Sequence, residues 1–594
     1  MSATQLNFKI HHDSPLFIST GMASLIPKPK TLISHFTFHH RSPFSLHFLC
    51  LSSGKSVRTM SSSASSQRIF QLKLDPLTGN SEWVVIEDDD NDDVSTSSSK
   101  TDHLETTSYL DMLNDSYRNR AYRLAIDKTV TKPCHVLDIG AGTGLLSMMA
   151  ARAMGVGDSA AVASPKGTIT ACESYLPMLK LMRKVLRLNG MERKINVINK
   201  RSDELKVGVD ITSRADILVS EILDSELLGE GLIPTLQHAH DTLLVENPKT
   251  VPCRATTYGQ LVESEYLWKL HDLSNNEAKA SDDIHLVPKG LETILCIKQQ
   301  QYPMHCDAIQ QDLKLLSEPF RIFEFDFSKR PESHGERMVH IKATNDGNIH
   351  AIISWWVLQL DYEGTIFYST APKWVKLPLD TAELPTSLAS AGQWCDHWKQ
   401  CVWFVPGKGM SVSKDEEVQM LAIHTDTSIS YNLTAQAPEK EVLQYDFGQR
   451  KCNLILSPER VAIYGDCKWR LSMLTSLSNA LQGKDVSLCV VADDSVYLTV
   501  LVAHILQSTH VISLFPGLRD KGFRYLSAIA DANGFSTDRV KVFEKRKACL
   551  TMQDTNGKQV DLLIGEPFYF GSDGMLPWLN LRFWKSLTSL PCKP

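Results

Sequence analysis

The sequence lacks cysteine pairing. Its 13 cysteines are scattered singly, their total is odd and no CxxC occurs. That excludes a disulfide framework and a cysteine-based zinc site, and it reads as reduced thiols in a reducing compartment. No run of 18 apolar residues occurs, which excludes a membrane-spanning helix of ordinary length. A large charge of either sign is missing too. Sixty-eight acidic residues face 62 basic ones over 594 residues, a net charge of −6. A generally basic nucleic-acid binder is thereby excluded, though not a local basic patch. A slight acidic excess suits a cationic partner. What remains is the composition of an ordinary globular protein, with 43% hydrophobic and 22% charged residues. The length is enough for three to five compact units.

Residues 1–68 differ from the rest. They hold one acid, Asp13, against seven Lys or Arg, with many Ser and His and no steady period. Two readings stand: a disordered extension with a second start at Met60, or an organellar transit peptide. Residues 69–107 follow, with a strand pair (Ile69–Leu74 and Glu82–Ile86) and then an acidic and Ser/Thr-rich linker.

The strongest local signal lies in residues 108–252. His135-Val-Leu-Asp-Ile-Gly-Ala-Gly-Thr-Gly-Leu-Leu146 joins a short apolar strand to a helix through three alternating glycines. Glycine permits positive φ and leaves no Cβ in the way, so backbone N–H groups can approach a ligand. GxGxG spacing differs from the GxGxxG dinucleotide fingerprint. A plain tight turn is the alternative. Asp138 ends the first strand, and Thr168–Glu173 predicts a second strand ending in an acid, where ribose hydroxyls are commonly bound. Further strands are predicted at Ile195–Asn199 and Ala215–Ser220, so the unit reads as α/β with a mostly parallel sheet.

The last of these strands runs into Ser220-Glu-Ile-Leu-Asp-Ser-Glu-Leu-Leu-Gly-Glu-Gly231. Gly229 and Gly231 allow the chain to fold back and bring Glu221 and Glu230 face to face. Two carboxylates in one apolar pocket repel, and one then holds its proton when the site is empty. A guanidinium between them removes the conflict, being planar and permanently charged. One ion pair at 4 Å is worth about 4 kcal/mol at an effective dielectric of 20, so two can outweigh desolvation where one would not. A solvated acidic loop and a metal site are the alternatives. The metal reading is the weaker, since no His lies in the loop, and no metal is expected.

These segments together resemble the protein arginine methyltransferase family. Tyr109-Leu-Asp-Met-Leu-Asn-Asp-Ser-Tyr-Arg-Asn-Arg-Ala-Tyr122 is similar to its cofactor-covering helix. Trp394-Cys-Asp-His-Trp-Lys-Gln400 is similar to its Thr-His-Trp loop, with Asp396 in place of Thr. The motifs run in the family's order over residues 69–435. The resemblance implies S-adenosylmethionine as cofactor. It places Arg118 on the cofactor's carboxylate and Asp138 in the same site. Gly140, Gly142 and Gly144 would form the turn that meets the methionine and ribose parts. Glu173 would bind the ribose hydroxyls, and Ser202 and Asp203 would lie beside the adenine. Glu221 and Glu230 would clamp the substrate arginine. His397 would tie its loop to Asp115, and Trp398 would line the pocket. Asp224, Gln400 and an altered second copy of the core point to the monomethylating (type III) branch. Asp224 and Gln400 would then narrow or polarise the pocket. Glu230 is the candidate base, with Glu221 the alternative.

Residues 253–435 carry period-2 strands at Arg254–Val262, His350–Leu360, Thr365–Ser369, Cys401–Val405 and Glu417–His424, an antiparallel β domain. By the resemblance it is a β-barrel forming the peptide side of the cleft. After a linker (436–458), residues 459–594 repeat the strand and helix order of the first unit. There Ala492-Asp-Asp-Ser495 replaces the glycine turn, Phe515-Pro-Gly517 lacks the ribose acid, and the segment from Glu566 lacks the second clamp glutamate. No cofactor is expected in that copy. A helix is predicted at Met575–Leu587, and the chain to Pro594 has no room for a second barrel, so a truncated product is expected. The whole reads as a class I methyltransferase Rossmann-like sheet, an antiparallel β-barrel, and a second, degenerate Rossmann-like copy. The resemblance implies arginine-containing protein substrates, among them histones and Arg/Gly-rich proteins, and pairing of the two copies within the chain or a homodimer. No membrane and no direct nucleic-acid partner is expected. Location is expected in cytoplasm and nucleus, or in an organelle if residues 1–59 are a transit peptide. Two other functions stay open: a non-catalytic scaffold, and a methyltransferase for another substrate class.

Overall fold

A computed structural model describes residues 17–18, 68–74, 81–87, 107–155, 167–277, 280, 282–287, 295–297, 301–375, 397–405, 409–435, 454–456, 458–482, 484–491, 495–514, 518–519, 522–543 and 551–565. The leader apart from these pieces, both linkers, the Trp394–Asp396 part of the His-Trp loop, Ala492–Asp494, Phe515–Gly517, and everything from Glu566 onward lie outside the described residues.

The first unit begins with helix α1 (Ser116–Thr129), which follows a short helix at Thr107–Asn114. Its inner stripe of Ala121, Tyr122, Ala125 and Ile126 is buried, three- and four-residue spacing putting these side chains on one face. The sheet follows as β1 (His135–Ile139), β2 (Thr168–Cys172), β3 (Asn196–Ile198), β4 (Ala215–Ser220) and β5 (Leu244–Val251). Helix α2 (Leu145–Ala153) connects β1 to β2. The spatial order is β3-β2-β1-β4-β5, all parallel. Strand β1 is buried along its whole length, which suits a strand covered on both faces. The order reverses between β1 and β4, and ligands of such sheets bind outside the carboxyl ends there.

The β domain is organised on β6 (Arg254–Glu263) and β7 (Ala351–Gln359). β7 also pairs with β8 (Phe367–Ser369) and β9 (Gln400–Phe404), all antiparallel. A further antiparallel sheet contains β10 (Glu417–His424) and β11 (Ile429–Ala435). Adjacent residues of β7 point to opposite faces. Trp356 therefore joins the core shared with the first unit, and Trp355 joins a separate cluster on the other face.

In the second unit the parallel strands Val540–Val542, His510–Ser513, Leu488–Val491 and Leu562–Ile564 lie in that order, with the two-residue strand Phe17–Ile18 at the edge. The order matches β3-β2-β1-β4 of the first unit. An excursion of the barrel docks on this copy. Arg470, fully buried, pairs with Glu277 at 2.9 Å and with Asp282 at 2.7 Å. Asn533 donates to His285 O and accepts from His285 N, and Tyr525 Oη donates to Leu286 O. These bonds tie the barrel's excursion to the second copy. Among the described residues no helix is long and apolar enough to cross a membrane.

Candidate active site

The glycine turn closes on the neighbouring strand. Gly140 N and Ala141 N both donate to Cys172 O at 3.1 Å. Gly140, Gly142 and Gly144 have φ of +73°, +55° and +81°, values that L side chains avoid. A Cβ on Gly140 would stand 2.6 Å from Ile222 Cγ2, so the turn also packs on the acid loop. Gly140 itself is exposed although the strand before it is buried. α2 starts at Gly144 without a side-chain cap.

Two acids frame this turn. Glu173, after β2, accepts Gly142 N at 3.0 Å on Oε2 and Tyr175 N at 2.7 Å on Oε1. A carboxylate oxygen has a second lone pair for a hydroxyl donor. Burial raises the Glu173 pKa against these bonds. Asp138 Oδ2 accepts Ser147 Oγ at 2.5 Å, while its buried Oδ1 has no partner. Burial pushes its pKa up to about 7, against the Ser147 bonds. Ser202 and Asp203 lie on a short 3-10 turn after β3, where Asp203 pairs with Arg201 at 3.1 Å.

The acid loop follows β4. Glu221 Oε2 receives Arg118 Nη2 at 2.5 Å, with 3% and 9% of the two side chains exposed. Burial works against the Arg118 charge, but Glu221, Tyr122 and Asp115 together outweigh it and the pKa ends raised. Burial raises Glu221 also, against the Arg118 pairing. Glu230 is exposed as a residue; desolvation of its carboxyl, followed by the charges of Glu221 and Asp224, raises its pKa well above the usual carboxylate range. The two glutamates thus sense each other, and the charge of Glu221 favours the protonated form of Glu230.

Asp224 turns back on its own loop. Its Oδ1 accepts Glu226 N and Gly229 N, both at 3.1 Å, and burial pushes its pKa up to about 6. Leu227, fully buried, takes a φ of 83°. Such a conformation in a non-glycine residue persists only when its surroundings hold it. The barrel supplies the hold, gripping consecutive residues of the loop. Trp398 Nε1 donates to Leu223 O at 2.8 Å, and Trp356 Nε1 to Asp224 O at 3.1 Å. Lys399 N donates to Ser225 Oγ at 3.0 Å, and Ile429 N to Glu226 Oε1 at 2.6 Å.

Two expectations need correction. His397 Nε2 lies 3.9 Å from Asp115 Oδ2, beyond hydrogen-bond reach. That oxygen takes Tyr368 Oη instead, at 2.5 Å. Burial pulls the His397 pKa down to about 4, so the imidazole is neutral near pH 7. Gln400 does not polarise the pocket. Its amide is buried in the barrel, accepting Cys306 N at 2.9 Å and donating to Thr370 O at 2.8 Å. Being on β9, it is committed to neighbouring backbone. Sequence reasoning also missed Trp356, Tyr368, Ser225 and Glu226. The Trp355-Trp356 pair in a period-2 strand was the available signal, since one of two adjacent side chains must face the first unit.

An open glycine turn, Glu173 beside it, and two buried polar atoms without partners, Arg118 Nε and Asp138 Oδ1, fit a nucleoside cofactor bearing a carboxylate. The paired glutamates beyond it fit a cation. Fold and site define a class I methyltransferase core joined to an antiparallel β-barrel.

Comparison with known proteins agrees. Residues 254–436 match the arginine methyltransferase oligomerization subdomain. The chain is 60% identical over 564 residues to protein arginine N-methyltransferase 1.6 of Arabidopsis thaliana, covering 95% of this chain and 74% of that protein. It is 56% identical to protein arginine N-methyltransferase 7 of Oryza sativa subsp. indica, covering 88% and 71%. Identity to the Mus musculus protein arginine N-methyltransferase 7 is 33%, covering 88% and 72%. The chain belongs to the protein arginine N-methyltransferase family.

Proposed function

We propose that this S-adenosylmethionine-dependent protein arginine methyltransferase adds one methyl group to an ω-nitrogen of arginine side chains in proteins. The observation that carries the reading is the Arg118–Glu221 pair: the loop carboxylate already holds a guanidinium beside the glycine turn. S-adenosylmethionine supplies an electron-poor sulfonium methyl group. Arg118 would hold its carboxylate, and Glu173 would accept its ribose hydroxyls.

Glu221 and Glu230 orient the substrate guanidinium so that one nitrogen faces the methyl group, which is the proximity contribution. They also draw positive charge toward the other nitrogens and leave lone-pair character on the attacking one. As that nitrogen bonds to the methyl carbon, the carbon–sulfur bond breaks. The new product nitrogen then gives up a proton. Glu230, whose pKa is raised in part by the charge of Glu221, is the proposed base, with Glu221 the alternative.

A single transfer is supported by the stiffness of the loop. A Cβ on Gly229 would stand 2.0 Å from Asp224 Oδ2, and the barrel grips residues Leu223 to Glu226 in succession. A wall held so closely resists widening for a guanidinium that already carries a methyl group. Arg/Gly-rich proteins and histones are the proposed substrates. Mass spectrometry of an Arg-rich peptide after incubation with S-adenosylmethionine should show one added methyl per arginine. Two on one arginine would overturn the single-transfer reading, and none would overturn the activity.

Binding should also release protons. Desolvation and the charges of Glu221 and Asp224 raise the Glu230 pKa, and an arriving guanidinium lowers it again. Affinity for an arginine peptide should therefore rise with pH until it passes the raised pKa of Glu230. Calorimetry in two buffers of different ionisation enthalpy measures this, with S-adenosylhomocysteine present. Equal heats in both would show that Glu230 is already ionised.

A further inference from the structure

Asp115 has two jobs, one for each oxygen. Its Oδ1 caps α1 by accepting Tyr117 N at 3.0 Å and Arg118 N at 2.9 Å. Its Oδ2 accepts Tyr368 Oη at 2.5 Å. Tyr368 stands on β8, held against Leu358 of β7 in the barrel. The tyrosine ring meets Trp398 edge-on, with centroids 5.3 Å apart and planes at 70°, an arrangement aromatic rings favour. Trp398 in turn donates to Leu223 O of the acid loop. Arg118 lies 5.9 Å over the Trp398 ring and pairs with Glu221 of that loop. The contacts close a circuit: Tyr368, Asp115, Arg118, Glu221, the acid loop, Trp398, and Tyr368 again.

We propose that Tyr368 is a positioning residue of the cofactor site. Its hydroxyl holds Asp115, which fixes the first turn of α1 and aims Arg118 at the place where Glu221 and the cofactor carboxylate meet. The inference rests on the reading of Arg118 as a cofactor ligand. A hydrogen bond to a charged group from a side chain already pinned by ring packing loses little on ordering. The barrel thereby reaches the cofactor side of the site without touching the cofactor.

The test is Tyr368→Phe in the full chain, which keeps the ring against Trp398 and removes only the hydroxyl. S-adenosylhomocysteine binding, by calorimetry, should weaken about tenfold, the usual weight of one hydrogen bond to a charged group. KM for S-adenosylmethionine should rise alike, while KM for an arginine peptide stays within about twofold. A purely structural role would lower the melting temperature and leave this split absent. Asp115→Asn should weaken binding too, and the double variant should be no weaker than the worse single one, since both act through one link. Additive losses, or unchanged affinity in Tyr368→Phe, would overturn the proposal. If Tyr368→Phe does not fold, unchanged affinity in Asp115→Asn overturns it equally. Failure of the unaltered chain to bind S-adenosylhomocysteine is a different result, and it removes the cofactor reading itself.

Discussion

Turnover should fall on the order of a thousandfold when Glu221 becomes glutamine, the scale seen when one preorganised electrostatic partner of a transition state is removed. The amide keeps the shape and one acceptor oxygen but loses the charge that grips the substrate cation. Cofactor affinity should not fall with it. Glu221 occupies the Arg118 guanidinium at 2.5 Å, so it competes with any carboxylate that Arg118 would bind. Removing that charge frees Arg118, and S-adenosylhomocysteine should bind as tightly as before or more tightly. Single-turnover kinetics with a labelled methyl group, beside calorimetry, separate the two quantities. Normal turnover would eliminate the two-carboxylate clamp. Loss of turnover in proportion to loss of affinity would instead place Glu221 on the cofactor side alone.

The second large effect concerns the glycine turn. Gly140→Ala adds a Cβ 2.6 Å from Ile222 Cγ2, at a φ of +73°. Ile222 follows Glu221 directly, so the collision shifts the turn and the base of the acid loop together. Displacing a binding or reacting group by about 1 Å can cost roughly a hundredfold, and S-adenosylhomocysteine affinity should drop by about that factor. Gly190→Ala is the control. Gly190 has φ +66° and nothing within 4 Å of its added Cβ, so it bears the backbone strain of about 1–2 kcal/mol without the collision. Thermal stabilisation by ligand at 100 times its Kd should be about 2.7 kcal/mol for the unaltered chain. It should persist in Gly190→Ala and be nearly lost in Gly140→Ala. Equal losses in the two variants would assign the effect to strain alone.

The parts of the site visible in the sequence are those built from neighbours in the chain. Gly140, Gly142 and Gly144 could be read because a strand that turns at once into a helix needs positive φ. Glu173 could be read because it ends the next strand of the same unit. The run from Glu221 to Gly231 could be read because acids and glycines are rare inside an apolar segment. Five strands of the barrel could be read from their period of two, while Phe320–Asp326, Gly335–Lys342 and Ile429–Ala435 were not. The parts not visible depend on pairing between distant segments. His397 was expected on Asp115 because both carry the right chemistry, but the oxygen goes to Tyr368, 253 residues along the chain from Asp115. Gln400 has a polar side chain near a site motif, yet its place on β9 turns the amide into the barrel backbone. Asp224 serves the loop that contains it, which follows from the fold-back and not from the residue type.

Residue order alone determined that a glycine turn, a ribose-type acid and an acid-rich loop would sit at the carboxyl ends of adjacent parallel strands. Side-chain periodicity and backbone sterics act over a few residues, so they leave a record in the order. Only the tertiary structure decided which partner each charge takes: Arg118 on Glu221, Tyr368 on Asp115, Trp356 and Trp398 on the loop carbonyls. The reason is physical. A buried charge or carbonyl must find a partner wherever packing brings one, and packing between the barrel and the sheet is settled by the whole core.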